Sequence, residues 1–490
     1  MKIVNYAGDL QSLRYKIHGS FEHRPDALME LVDALTSNPN ARSVAELSLS
    51  PHFRRQYGSV FDAIDNYLFA DDADQLTVAR RVREAHLINI IASVLPPRPS
   101  RVWFFATDAT SVSRQYAPTL EDKTYVYQPN AVAGNKPVTI GHQYCAMTYL
   151  PEKEASCPPW VVPMLIRRIR SCETETEVAA QALACLFSDE TLPWIASGDL
   201  VVNVADSKYG TVPFLFPLAS HPNLLNITRI RANRVLYRLP EPVDPSERKR
   251  GRPRRYGKRF DLKDGNTWDT PDEQEEFSFC SKKGHDYKVV IEAWNDLIMR
   301  GKKDMPMHKN PFRLLRVLIF KPNGDLLFTR PMWLIVIGER RNELSLKEIW
   351  QAYRQRYDIE HFFRFGKQHL LMADFQTNQV ERSENWMALV QLAYVQLFMA
   401  RKLANNLPRP WERYLPVKNE EVANPTQTQR DFSRIIDEIG TPAKAPKGRG
   451  KSDGRKKGST CKKKPRKPAI KKGQKGKKGQ KSKKAAAPAA

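Results

Sequence analysis

The sequence predicts a mixed α/β protein with a helical N-terminal region, a β-rich interruption and a basic C-terminal tail. Three observations carry that reading. Apolar residues recur at three- and four-residue steps as far as about residue 95, the period of helices packed on one face. Beyond that, short runs rich in β-branched and aromatic residues alternate with helical ones. Finally, residues 443–490 hold 20 Lys and Arg against the single Asp453.

The length bounds the architecture. At 490 residues, two to four domains are expected at roughly 100–200 residues each. With 41% hydrophobic residues there is ample material for a core, yet no stretch has the unbroken apolar length of a membrane span. The start, Met1-Lys-Ile-Val-Asn-Tyr-Ala-Gly-Asp, lacks the apolar core of a signal peptide. A soluble cytoplasmic protein without membrane association is expected. Cys145, Cys157, Cys172, Cys185, Cys280 and Cys461 form no C-x-x-C pair and have no histidine cluster beside them, so neither a zinc site nor a disulfide framework is expected.

In chain order, residues 27–35, 59–69 and 76–95 have helical period and define a helical region, 1–96, with the possibility of DNA binding. Residues 43–58, with Arg54 and Arg55, fit either the turn and basic edge of a small DNA-binding unit or ordinary helix packing. Pro96-Pro97-Arg98-Pro99 breaks the pattern. Residues 101–107, 138–150, 160–166 and 199–205 read as strands and 175–187 as an Ala-rich helix, so 101–224 forms the first part of an α/β core. Residues 225–340 form a β-rich insertion, with strands near 224–237, 313–320 and 326–337. Its polar stretch, 240–277, contains Arg248-Lys-Arg-Gly-Arg-Pro-Arg-Arg-Tyr-Gly257, which resembles a minor-groove AT-hook and equally fits a solvated basic loop. Residues 341–415 complete the core. Within them 345–371 reads as one long helix opened by a capping box, Ser345 with Glu348, followed by a helix over 383–406. The tail, with Ile470 as its only sizeable aliphatic residue, cannot bury a core; disorder and binding to a polyanion such as nucleic acid are expected.

The chemistry is read from the long helix. Tyr353, Arg356, Glu360 and Lys367 are spaced so that, at about 100° per residue, they fall within about 60° of one another on its surface. One carboxylate, two cations and a phenol thus share a stripe, where ordinary surface ion pairs are the competing explanation. The spacing Tyr353-x2-Arg356-x3-Glu360-x6-Lys367 resembles the Y-R-E-K signature of bacterial insertion-sequence transposases of the DDE superfamily, which are cut-and-paste enzymes. That resemblance implies two upstream aspartates at strand ends. Asp108, after Arg101-Val-Trp-Phe-Phe-Ala-Thr, and Asp206, after Leu200-Val-Val-Asn-Val-Ala, stand where it requires them.

The resemblance, covering about residues 101–406, implies an RNase H-like catalytic core interrupted by the β-rich insertion. Asp108, Asp206 and Glu360 would be the catalytic residues and ligands for two Mg2+ or Mn2+ ions, with Asp108 the bridge. Tyr353, Arg356 and Lys367 would contact DNA phosphates, with His361 and Arg364 as further candidates and Arg229, Arg231 and Arg234 along a strand as backbone contacts. Double-stranded DNA would be the partner, a homodimer the active complex, and the setting a bacterial nucleoid. A hard divalent pair suits this chemistry because phosphodiester cleavage needs an activated oxygen nucleophile and neutralised phosphate charge. Asp122, Asp199 and Asp358 are rival acids less well placed. Trp333 reads as a buried strand residue, with base insertion as the alternative. A nuclease lacking strand transfer and a non-catalytic DNA-binding protein are the rival functions; no Gly-rich nucleotide loop is present.

Overall fold

The computed structural model describes residues 2–68, 72–96, 100–128, 137–152, 157–187, 192, 198–241, 254–281, 284–407, 409, 411, 422–448, 454, 456–460 and 463–471. The N-terminal helices are α1 (Lys2–Ser20), α2 (Pro25–Thr36), α3 (Gly58–Asp65) and α4 (Ala73–Ala92). Pro25 occupies the first turn of α2, where its missing N–H removes no helical bond. Residues 27–36 of that helix are all buried, more than a surface helix allows, because α2 contacts helices on several sides. Its neighbours are α1, α3, α9 (Val380–Ala400) and α11 (Pro425–Ile439). Helix α9 is itself almost wholly buried and also packs on the sheet, so it is the element that joins the helical layer to the strands.

A buried arginine fastens this layer. Arg14 of α1 donates to both carboxylate oxygens of Asp33 on α2 (2.6 and 2.9 Å), to Gln396 Oε1 on α9 (2.9 Å) and to the Gly440 carbonyl after α11 (3.2 Å). Four segments distant in sequence are therefore tied by one planar fork.

The described strands form one twelve-stranded mixed sheet. β1 (Val102–Ser113) is antiparallel to β3 (Val138–Tyr149) and parallel to β5 (Leu200–Ala205), which is parallel to β6 (Leu224–Ile230). Beyond β3 lie β2 (Thr124–Tyr127) and β4 (Val162–Ile169). All six residues of β5 are buried, as expected of a parallel strand covered on both faces. Helices α5 (Glu175–Leu186) and α6 (Val212–Leu218) make the crossovers around β5. Beyond β6 the sheet continues through β12 (Met332–Ile337), β11 (Phe312–Phe320), β10 (Asp286–Ile298), β7 (Val235–Arg238) and β8 (Arg259–Asp261), with β9 (Glu273–Cys280) also on β10. The β-rich segment thus extends the central sheet, its last strand pairing with β6.

Two expectations change. The single helix over 345–371 is two, α7 (Leu346–Gln355) and α8 (Asp358–His369). At the join, Arg356, Tyr357, Ile359 and Glu360 each donate a backbone N–H three residues back, at 3.1–3.3 Å, a 3₁₀ tightening. Neither Gly nor Pro marks it, so the periodicity runs straight through. The tail also departs from disorder over 463–471, as described below; much of its remainder lies outside the described residues. A short helix, α10 (Leu403–Asn406), precedes α11.

Replacing Arg14 by Ala leaves Asp33 buried and unpaired, so a loss of about 3–5 kcal/mol is expected. An Arg14→Met/Asp33→Leu pair, which removes both charges, should lose clearly less in urea denaturation.

Candidate active site

Asp108 lies within β1, which runs on to Ser113, whereas Asp206 directly follows the end of β5. The parallel pairing of β1 and β5 is in register from Val102↔Leu200 to Thr107↔Ala205. The next step therefore brings Asp108 level with Asp206. Side chains alternate along strands, so these two acids share one face. Thr107 turns to the other face, where its hydroxyl donates to Asn203 Oδ1 (2.7 Å) and Asn203 donates to Asn226 Oδ1 (3.0 Å), beneath the acids.

The turn after β5 fixes Asp206. Its Oδ1 accepts the Lys208 backbone N–H at 2.8 Å. Gly210 closes the turn where a Cβ would meet the Arg229 carbonyl oxygen at 2.6 Å, so only glycine permits this approach to β6. The Lys208 ammonium then pairs with Glu175, which also accepts from Gln143. Glu175 is a buried carboxylate in the first turn of α5, behind a capping box of Thr174 and Glu177. Sequence reading missed Glu175 and Lys208. The capping box announced a helix start, but nothing announced that its first carboxylate would face the aspartates.

The tightened α7–α8 join supplies the third acid. Arg356 Nη1 donates to Asp108 Oδ2 at 3.2 Å and Nη2 to Glu360 Oε1 at 2.9 Å. One guanidinium thus bonds to a strand acid and a helix acid. Tyr353, almost fully buried, lies in the fields of Arg356, Arg229 and Asp206, and burial pushes its phenol up. Five of the six proposed residues therefore converge. Lys367 stands two turns further along α8, about 10 Å at 1.5 Å per residue. Burial lowers its ammonium, with no carboxylate among the described residues offsetting it.

The acids crowd one another. Burial pushes Asp108 up to about 7; Arg356 and the Ala109 N–H, which donates to Oδ1 at 2.8 Å, pull it down, while Asp206 and Glu175 push it further up. Desolvation and like charge outweigh one ion pair, so the pocket is short of positive charge at neutral pH. Among the described residues, no three His, Cys, Asp or Glu side chains already stand in metal-ligand geometry. The donors are nevertheless all carboxylate oxygens, the type hard divalent cations take, and Arg356 now fills part of the demand for cation.

The rival acids have structural partners. Asp199 accepts from Arg101 (2.5 Å) and the Trp103 indole (2.9 Å), and Asp122 from Arg168; Asp358 is buried. Trp333 is buried beside Trp268 and Trp294. Arg54 and Arg55 pair with buried Glu30, so that basic edge is engaged inside the fold. Of the three β6-region arginines, only Arg229 is on the strand; Arg231 and Arg234 belong to an exposed turn. The Gly-Arg-Pro of the AT-hook-like stretch lies outside the described residues.

The model of the family described as DDE superfamily endonuclease matches residues 16–298. The chain belongs to that family. The match takes in Asp108 and Asp206 and ends before Glu360, so in this endonuclease the third acid rests on the geometry above. No curated protein matches the chain. No helix among the described residues is long and apolar enough to cross a membrane.

Because the folded Asp108 binds its proton more tightly than the unfolded chain (about 7 against 3.8), its ionisation opposes folding. Stability falls as pH rises through that window. In chelator, Asp108→Asn should match wild type near pH 4 and exceed it by about 1–3 kcal/mol at pH 8, the remaining exposure screening part of the effect. A pH-independent difference in urea midpoints would contradict this origin.

Proposed function

We propose that this DDE superfamily endonuclease is a DNA transposase of the Y-R-E-K group. It would hydrolyse the phosphodiester at each transposon end, releasing a 3′-hydroxyl, and join that hydroxyl to target DNA by transesterification. The observation that carries the reading is Arg356 bonded to Asp108 and Glu360 at once, with Asp206 one step past the end of the parallel strand that neighbours Asp108. Two strand acids and one helix acid on a common sheet face also favour the RNase H-like reading of the core.

Asp108, Asp206 and Glu360 would hold Mg2+ or Mn2+. Bound there, a pair of such ions would activate the attacking oxygen and neutralise charge on the scissile phosphate. Lys208 and Gly210 hold the Asp206 carboxylate in place, and Glu175 anchors Lys208. Arg356 offers a two-pronged donor suited to phosphate, Tyr353 a single hydroxyl, and Lys367 a cation with no carboxylate partner among the described residues. Double-stranded DNA is the partner. Two transposon ends call for a homodimer in the active complex, and a bacterial nucleoid for the setting.

The test is cleavage of the element's own terminal duplex in Mg2+. Asp108→Ala, Asp206→Ala and Glu360→Ala should each lose at least about a hundredfold in rate, with end joining from pre-cleaved ends lost in parallel. Full cleavage without joining would leave only the nuclease; no cleavage by the wild type would leave a DNA-binding protein, and unchanged rates in the three variants would overturn the assignment of these acids. Separately, Lys367→Ala should weaken end binding about five- to tenfold and reduce the salt slope by about one, read by fluorescence anisotropy across salt concentrations.

A further inference from the structure

Part of the basic tail lies on the core. The Lys467 N–H donates to the Pro118 carbonyl (2.9 Å) and the Ile470 N–H to the Lys123 carbonyl (2.8 Å). Ile470 forms a parallel β-bridge with Thr124, the first residue of β2. Lys464 Nζ donates to Asn378 Oδ1 at 3.2 Å, and Lys467 Nζ lies 3.8 Å from Glu121 Oε1. The contacts fall on 464, 467 and 470, every third residue.

A three-residue repeat belongs to polyproline II, not to a β-strand or an α-helix. Pro465 and Pro468, which lack an N–H and favour that conformation, fall at the intervening positions, where no donor is used. Side chains along 463–471, among them Lys463 and Arg466 on another of the three rows, stay exposed except that of Ala469, which is half-buried. The docking is therefore made by the Lys467 and Ile470 amides and the ends of the Lys464 and Lys467 side chains. The docking surface has two parts. One is the end of the sheet, where β2 pairs only with β3 on its inner side; such an edge is a template for other chains unless covered. The other joins the chain leaving β1 to the chain leaving α8. The Glu121 N–H donates to the Asn378 carbonyl (3.4 Å), and Arg114 donates to the carbonyls of Phe375 and Thr377. The segment therefore spans the exits of the two elements that carry Asp108 and Glu360.

We propose that residues 463–471 are a built-in strap: a Lys-x-x-Lys-x-x-Ile segment that docks in cis on the β2 edge and on the β1 and α8 exit loops. The strap covers the open edge, links the strand acid's element to the helix acid's element, and fixes the Lys463–Arg466 row on the core. It does not depend on the reaction proposed above.

Hydrogen exchange of the full-length protein tests this against a synthetic peptide of residues 460–474. The Lys467 and Ile470 amides should exchange at least about tenfold more slowly in the protein than in the peptide, at any protein concentration. Ile470→Pro removes one donor without changing charge. It should return the Lys467 amide to the peptide rate while thermal unfolding of the core stays unchanged. Peptide-like exchange in the wild type, or Lys467 protection that survives Ile470→Pro, would overturn the strap. Protection that grows with protein concentration would mean the tail docks on a second copy and would overturn its cis placement.

Discussion

Two carboxylates share a single guanidinium beside a third acid, and the rest of the structure is arranged around that imbalance of charge. Asp108 and Asp206 arrive level on adjacent parallel strands, Glu360 arrives from the helix laid across them, and Arg356 alone bonds to two of the three. Buried Glu175 adds a fourth negative field, partly met by Lys208. Such a pocket favours either protons or cations. Its cost in stability is acceptable only because the sheet and the buried helical layer supply cohesion elsewhere, a pattern expected where function overrides local stability.

Geometry follows from how the chain is threaded. The parallel register of β1 and β5 sets the spacing of the aspartates, and the Gly210 turn sets the direction of Asp206. The 3₁₀ join between α7 and α8 puts Arg356 and Glu360 in adjacent tight turns, where one side chain can bond to the other and still reach β1. The long β-rich segment between β6 and α7 extends the sheet by pairing β12 to β6, so the helix carrying Glu360 returns from a continuous, hydrogen-bonded platform.

Much of this was legible in the sequence where one local rule suffices. The apolar runs before Asp108 and Asp206, the capping box at Ser345 and the Tyr353–Lys367 spacing each report a nearest-neighbour preference. The remainder depended on contacts between distant segments. Strand β9 lay in a stretch dominated by charge, where exposed residues alternate with half-buried ones, and β10, though buried at Val289, Ile291, Ala293 and Trp294, is a strand only through its pairing with β9 and β11. Helix α11 was missed although Asn424 and Gln427 form a capping box with Pro425 in the first turn; its burial is decided by packing on α9 and on α2, the latter hundreds of residues away. The α7–α8 join has no breaker residue, Glu175 has no motif, and the tail's docking row shows only once the β2 edge exists to receive it.

Three acids brought together by β1, β5 and α8 should form one cation site. Manganese binding to the full-length protein at pH 8, followed by electron paramagnetic resonance without DNA, measures that most directly. Saturable binding that is lost in Asp108→Asn and weakened in both Asp206→Asn and Glu360→Gln is the predicted result. Equal binding by all four proteins, or none by the wild type at millimolar metal, would contradict it.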